Sequence, residues 1–166
     1  MGAGNKFHYA KYHCHRIIHR YYSITGKTII KEKKKDWQIM KKDFDKWNTR
    51  KKEIDEDKPN FYHEREIRWC SLGVNIGFEQ DGTSEAYKRP VLIIKGFSRH
   101  VCLVVPLTTS TKKNPYHLSV GIVEDIEAFA ILSQIRLIDT KRLHVRLAIL
   151  DKSKFQEIKK AIKDLL

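Results

Sequence analysis

The side chains best suited to chemistry cluster at the ends of apolar runs. Arg89 precedes Pro90 and the run Val91-Leu92-Ile93-Ile94. Thr108 and Thr109 follow Leu103-Val104-Val105-Pro106-Leu107. Glu79 and Gln80 sit in the turn Gly77-Phe78-Glu79-Gln80-Asp81-Gly82, and a third polar-apolar stretch reads Ser133-Gln134-Ile135-Arg136-Leu137-Ile138-Asp139. A guanidinium presents a planar fork that binds two phosphate oxygens at once. A threonine hydroxyl donates to the same group or relays a proton. A glutamate orients the arginine or takes part in proton transfer. Together these types suit chemistry at a phosphate, where charge grows on the phosphoryl oxygens. Each has a plainer reading: an arginine at a strand start is usually a solvated charge, and Thr-Thr-Ser-Thr is usually a turn. Only the elements that carry these residues can decide.

Those elements read as short strands. Candidates are Glu66–Leu72, Pro90–Phe97, Val101–Leu107, His117–Val120, Ala128–Ile138 and Arg146–Leu150, with turn signals at Asp81-Gly82 and Asn114-Pro115. The proline after Arg89 biases that residue to extended backbone, which places its side chain at a strand mouth. Strands at this density predict a small barrel or strongly bent sheet. A helix is expected from about Ser153, with Ser153 and Gln156 at capping-box spacing and a stripe of Phe155, Ile158, Ile162 and Leu165. Upstream, Trp37, Met40, Phe44 and Trp47 recur at helical spacing over residues 36–56, with Asp36 as N-cap. That aromatic face predicts packing on the domain or across a dimer, burying Trp37 or Trp47. Asp55 to Asn60, with Pro59, forms a boundary.

Residues 1–35 mix His, Tyr, Lys and Arg without a clean period and predict a poorly ordered or weakly helical basic extension. The domain map is therefore an extension over 1–35, an amphipathic helix and linker over 36–58, and a domain over 59–166. Met40-Lys41-Lys42 also reads as an ordinary protein start, so residues 1–39 are expected to lie beyond the minimal protein.

The chain has 166 residues and a 41% hydrophobic share, enough for one core. No apolar run approaches the ~20 residues that span a bilayer, and no secretory signal is evident. Cys14, Cys70 and Cys102 have no metal-ligand spacing, and the latter two read as reduced core thiols. A cytoplasmic location is the expectation. Net charge is +13 and the pI near 9.7, which favours an anionic partner, nucleic acid first. Residues 1–58 carry 16 Lys and Arg against 8 Asp and Glu, so the excess leans toward the N-terminal third.

From Glu64 onward the chain resembles the MazF/PemK toxins. The family's opening strand and turn, ending in glycine-x-glutamate-glutamine-x-glycine, is matched by Trp69 through Gly82. Its arginine-proline-valine-leucine stretch is matched at Arg89, its threonine at the end of the third strand at Thr108, and its later glutamine-isoleucine-arginine strand by Gln134 through Asp139. The resemblance implies a mainly β fold with helices (α+β): a small SH3-like β-barrel of the MazF/CcdB type with a C-terminal helix, here with an added N-terminal helix. It implies a homodimer that cuts single-stranded RNA at short sequences without a metal or other cofactor. The products would carry cyclic phosphate and 5′-hydroxyl ends, and a cognate antitoxin would cover the RNA groove. It assigns catalysis to Arg89 and Thr108, with Glu79 in support, and RNA contact to Phe78, Gln80, Thr109, Lys112 and Lys113.

The chain departs from the family pattern twice. Phe78 stands where many members have serine, so a ring is offered to a base instead of a hydroxyl. Residues 83–88 also lengthen the loop before Arg89. Two alternatives use the same scaffold: a toxin that binds DNA gyrase without cleaving RNA, as CcdB toxins do, and a catalytically weak RNA-binding relative. His13-Cys14-His15 with His19 lacks a second ligand pair for zinc. His100, His117 and His144 read as surface or edge histidines.

Overall fold

A computed structural model describes residues 21–22, 28–29, 42–83 and 86–166. The chain divides into two units, Met1–Met40 and Lys41–Leu166. In the first, β1 (Tyr21–Tyr22) pairs antiparallel with β2 (Thr28–Ile29). The rest of the basic extension, with His13, Cys14, His15, His19, Asp36, Trp37 and Met40, lies outside the described residues.

The second unit holds helix α1 (Phe44–Glu56), strands β3 (Glu66–Ser71), β4 (Lys88–Gly96), β5 (Val101–Thr108), β6 (His117–Val123), β7 (Ile126–Ile131), β8 (Arg136–Asp139) and β9 (Leu143–Ile149), and helix α2 (Lys152–Leu165). The strands form one curled sheet in the order β6-β7-β5-β4-β3-β9, every pair antiparallel, with β8 pairing β5 as well. This is the mainly β, half-barrel architecture expected from the strand density.

The alternation along β4 explains its unbroken apolar run. Leu92 and Ile94 face a core shared with Val105, Leu107 and the α2 residues Phe155, Ile158 and Ile162. Val91 and Ile93 face a second core with Cys70, Cys102, Val104, Ile138 and Leu143. A strand buried on both faces has no polar side to show. Cys70 and Cys102 are free and fully buried, and burial pushes both thiols up to about 12.

Three expectations are corrected. The single strand expected over Ala128–Ile138 is interrupted by a 3-10 turn at Leu132–Gln134. Leu107 lies opposite Ala130, whereas Val104 lies opposite Arg136. Moving three residues along β5 thus uses six on the facing chain, so the turn inserts three residues and throws Gln134 out of the ladder. Second, α2 is capped by Asp151, not by a Ser153–Gln156 box. Asp151 Oδ1 accepts from the N–H of Ser153 at 2.7 Å and of Lys154 at 3.3 Å, with the Ser153 hydroxyl donating at 2.6 Å. Third, α1 is capped by Asp43, and of its described aromatics only Trp47 is buried; Phe44 is exposed. The helix docks through Trp47 and Ile54, two turns apart on one stripe.

Candidate active site

Register brings the two strand ends together. Val91 on β4 faces Pro106 on β5, which sets Arg89 beside the Leu107–Thr108 end of the neighbouring strand. On its other side Arg89 pairs with Cys70 of β3. Its guanidinium is tied to backbone: Nε donates to the carbonyl of Asp81 at 2.6 Å and Nη1 to the carbonyl of Leu107 at 3.1 Å. With the Gln80 amide turned so that its oxygen faces the arginine, that oxygen accepts from Nη2 at 2.9 Å. These acceptors orient the fork without cancelling its charge. Burial shifts the Arg89 pKa down, and the nearby Asp81 opposes that. An arginine in protein stays protonated at neutral pH regardless.

Thr108 ends β5 half-buried, and its Oγ1 accepts from the N–H of Ser110 at 3.1 Å. That bond orients the oxygen and leaves the hydroxyl proton to be donated elsewhere. Thr109 is exposed in the loop that follows, as are Lys112 and Lys113.

The loop between β3 and β4 carries the remaining candidates. Phe78 is 98% exposed, its ring fully presented to solvent. Glu79 is exposed, and its carboxylate makes no ion pair among the described residues. Gln80 is half-buried against Arg89. Arg89, Thr108 and Gln80 are thus brought into one cluster. Glu79 and Phe78 stand on its outer lip, and Lys112 and Lys113 on the loop beyond Thr108.

Four residues that hold this geometry were not singled out as site residues from sequence. Gln134, thrown out by the 3-10 turn, accepts from the Gln80 N–H at 3.1 Å and donates to the Phe78 carbonyl at 3.3 Å. Asp81 accepts from the Asn75 N–H at 2.6 Å, and the Asn75 amide donates to the Gln80 carbonyl at 2.9 Å. Lys42, just before α1, donates to the carbonyls of Asn75 at 2.7 Å and Gly77 at 2.9 Å and pairs with the Asp81 carboxylate at 2.8 Å. Asp81 is therefore neutralised by a lysine, while its carbonyl holds the arginine.

Trp47 closes the base of the same loop. Its ring lies 5.4 Å from that of Tyr87. At Gly73, where φ is +84°, a Cβ would fall 2.0 Å from the Trp47 ring, so only glycine admits both the backbone turn and the contact. The sequence signal was the Trp47 position on a helical stripe, but its dock was not legible.

The three histidines differ. His100 is exposed. His144 is half-buried with Nε2 2.7 Å from the Ser71 hydroxyl. His117 is half-buried, and its Nδ1 is enclosed with no protein partner. Among the described residues, no three His, Cys, Asp or Glu side chains gather as a metal-ligand set, and no helix is long and apolar enough to cross a membrane.

Residues 63–166 match the model of a family described as PemK-like, MazF-like toxins of type II toxin–antitoxin systems. No curated protein matches the chain. Among solved structures, MazF from Deinococcus radiodurans is similar at 17% identity and a TM-score of 0.51, over 64% of this chain and 96% of that one. An endoribonuclease from a Mycobacterial species aligns at 16% identity and a TM-score of 0.48, over 65% of this chain and 93% of that one. An endoribonuclease in complex with its cognate antitoxin, also from a Mycobacterial species, aligns at 16% identity and a TM-score of 0.46, over 63% and 93%. At 17% identity, the likeness to the Deinococcus radiodurans structure is one of fold.

Proposed function

Because the chain belongs to the PemK-like, MazF-like toxins of type II toxin–antitoxin systems, whose members are generally endoribonucleases, we propose that it cleaves single-stranded RNA at a short recognition sequence. The observation that carries this reading is the Arg89 fork, held by two backbone carbonyls beside Thr108 and paired with no carboxylate among the described residues.

The substrate's own 2′-hydroxyl oxygen attacks the adjacent phosphorus. The bond from phosphorus to the 5′-oxygen breaks, leaving a 2′,3′-cyclic phosphate and a 5′-hydroxyl. One proton leaves the 2′-hydroxyl and one is delivered to the departing oxygen. Arg89 offsets the charge that grows on the phosphoryl oxygens, in a pocket where burial strengthens the interaction. Thr108 donates its free hydroxyl proton to the same oxygens. Glu79, exposed at the lip, assists proton transfer at the 2′-hydroxyl. Gln80 holds Arg89, and Phe78 stacks on an unpaired base. Thr109, Lys112 and Lys113 contact the strand beyond. The reaction needs no metal or other cofactor. The protein works in the cytoplasm as a homodimer, and a cognate antitoxin silences it by covering this groove.

The test is incubation of the purified full chain with a long single-stranded RNA in EDTA, with product ends mapped. Discrete cuts bearing 5′-hydroxyl ends are expected. Arg89→Ala should lower the rate by roughly 100-fold to 1,000-fold while keeping the fold. Arg89→Lys should not restore it, because a point charge lacks the fork that the Asp81 and Leu107 carbonyls hold. Intact RNA after exposure to folded wild-type protein would turn the reading toward a binding-only toxin, with gyrase assayed next.

A further inference from the structure

Helix α1 lies outside the residues that match the family model, and it builds a surface that those residues alone do not have. Its C-terminal half and the 3-10 turn Thr140–Arg142 face each other across an open pocket of about 350 Å³. Lys51, Lys52 and Asp55 line it from the helix, and Asp139, Lys141 and Arg142 from the turn and its cap. Four cations thus meet two carboxylates, and both carboxylates are engaged. Asp55 pairs with Lys141 at 3.5 Å, and its carbonyl accepts from the same ammonium. Asp139 caps the turn, accepting from the Lys141 N–H at 2.9 Å. Lys51, Lys52 and Arg142 make no ion pair among the described residues; the two lysines are exposed and Arg142 is half-buried.

Arg142 is the anchor of the pocket. Its Nη1 donates to the Ser71 carbonyl at 2.9 Å, and its guanidinium carbon lies 5.7 Å from the centre of the Trp47 ring, within cation–π range. A carbonyl and a ring face fix the plane of the fork without cancelling its charge, as two carbonyls do for Arg89. A fork so held suits two oxygens of one phosphate, and Lys51 and Lys52 add point charges on flexible stems. Register relates the pocket to Arg89. Arg89 lies opposite Cys70, and Cys70 opposite Leu143, the residue after Arg142. That is two strand spacings, about 10 Å across the ladder. Between them Lys88 lies opposite Ser71, whose carbonyl Arg142 holds. Besides burial, Lys88, Arg50 and Arg68 lower the pKa of nearby His144, with Asp57 opposing, so this end of the sheet carries a positive field.

We propose that this pocket binds a backbone phosphate of the RNA beyond the cleavage site, so that α1 lengthens the path over which a strand is held. Arg142 takes two oxygens of that phosphate, and Lys51 and Lys52 complete its neutralisation. A carboxylate would also suit the fork; the ladder row shared with Arg89 favours a phosphate on the strand that Arg89 holds. Contacts to phosphate position a nucleic acid without reading its sequence, so the pocket sets affinity and leaves the choice of bases to other residues. The inference rests on the reading of Arg89 and Thr108 as the cleavage centre.

The test uses the full-length protein and two non-cleavable RNAs with a 2′-deoxy nucleotide at the mapped cut, one confined to the cleavage site and one extended on both sides. If no cut is mapped, oligouridylates of the same two lengths replace them. Lys51→Ala with Lys52→Ala, both at exposed positions, should weaken the extended RNA by about tenfold, the worth of one charge-assisted hydrogen bond. It should also flatten the salt slope on that RNA by about 0.7, one phosphate on a single strand. The short RNA is the reference: a drop of the same size on both would mark a general charge effect and overturn the proposal. Arg142→Lys keeps the charge and loses the fork, so it should weaken the extended RNA while keeping the slope. Identical affinity and slope on the extended RNA in wild type and the double lysine variant would overturn the proposal. Displacement of the extended RNA by oligoglutamate as readily as by tripolyphosphate would assign the pocket to an acidic protein segment, and would overturn it too. A length-dependent loss in a protein that cuts no RNA keeps the pocket and removes the nuclease reading. No such loss in a protein that does cut removes the pocket alone.

Discussion

Arg89 shows how a chemical group is made ready by neighbours that do not react. Two carbonyls and an amide oxygen fix its plane, and the nearest carboxylate, Asp81, is already paired with Lys42. A guanidinium facing a free carboxylate would meet a phosphate with its charge half spent. His144 illustrates the opposite use of a polar side chain. Burial first, then Lys88, Arg50 and Arg68, hold its pKa below the ordinary histidine value, with Asp57 opposing. Its Nε2 lies 2.7 Å from the hydroxyl of Ser71, which is fully buried. The neutral ring is therefore the folded form, and the unfolded chain binds a proton first as pH falls. Stability from this group is complete above the unfolded value of about 6.5 and is lost as pH drops through the lower folded value. Urea midpoints measured from pH 7.5 to 5.5 should fall in wild type and fall less steeply in His144→Asn. Parallel slopes in the two proteins would mean that other groups carry the acid sensitivity.

Helix α1 acts on the site through one loop. Trp47 wedges against Gly73 and Tyr87 at the base, and Lys42 ties Asn75, Gly77 and Asp81 near the tip. The two contacts have different weights. The Lys42–Asp81 pair is about a quarter exposed on each side, so it contributes about 1 kcal/mol or less to folding. Trp47 is 4% exposed, and truncating it to alanine should cost roughly 3–5 kcal/mol. Lys42→Met should therefore leave the melting temperature within a few degrees while slowing RNA cleavage about tenfold, because the Asp81 carbonyl that holds Arg89 loses its brace. Trp47→Ala should lower both. Equal cleavage by Lys42→Met and wild type would show that Gln134 and Asn75 suffice to hold the loop.

Across the whole chain, the proposed function makes net charge the means by which RNA would be gathered. With +13 net charge, the protein attracts a polyanion before any specific contact forms. Three cations are assigned to phosphates at the cleavage site: Arg89, Lys112 and Lys113. For a single strand, each neutralised phosphate adds about −0.7 to the slope of log affinity against log salt, so a slope of about −2 is expected for a non-cleavable RNA analogue confined to that site. Lys112→Ala with Lys113→Ala should flatten it by roughly 1.4. Fluorescence anisotropy over a range of salt concentrations measures both, and an identical slope in the double variant would remove the two lysines from the interface.

Local pattern was enough for most of the strands, for three of the four residues in the expected α2 stripe (Phe155, Ile158 and Ile162 are buried, while Leu165 near the helix end is exposed), and for the family that Arg89-Pro90 and Thr108 pointed to. Alternation and helical period are short-range signals, written within a few residues of one another. They did not reach the 3-10 insertion that aims Gln134 at Gln80, 54 residues away in sequence, nor the grip of Lys42 on Asn75 and Gly77, 33 and 35 residues away. They also left open which N-terminal aromatic is buried, and the register that sets Arg89 opposite Cys70 on β3. Those depend on strand register and on how α1 docks. Both are set by the packing of the whole core, because a one-residue slip would turn every such side chain to the other face.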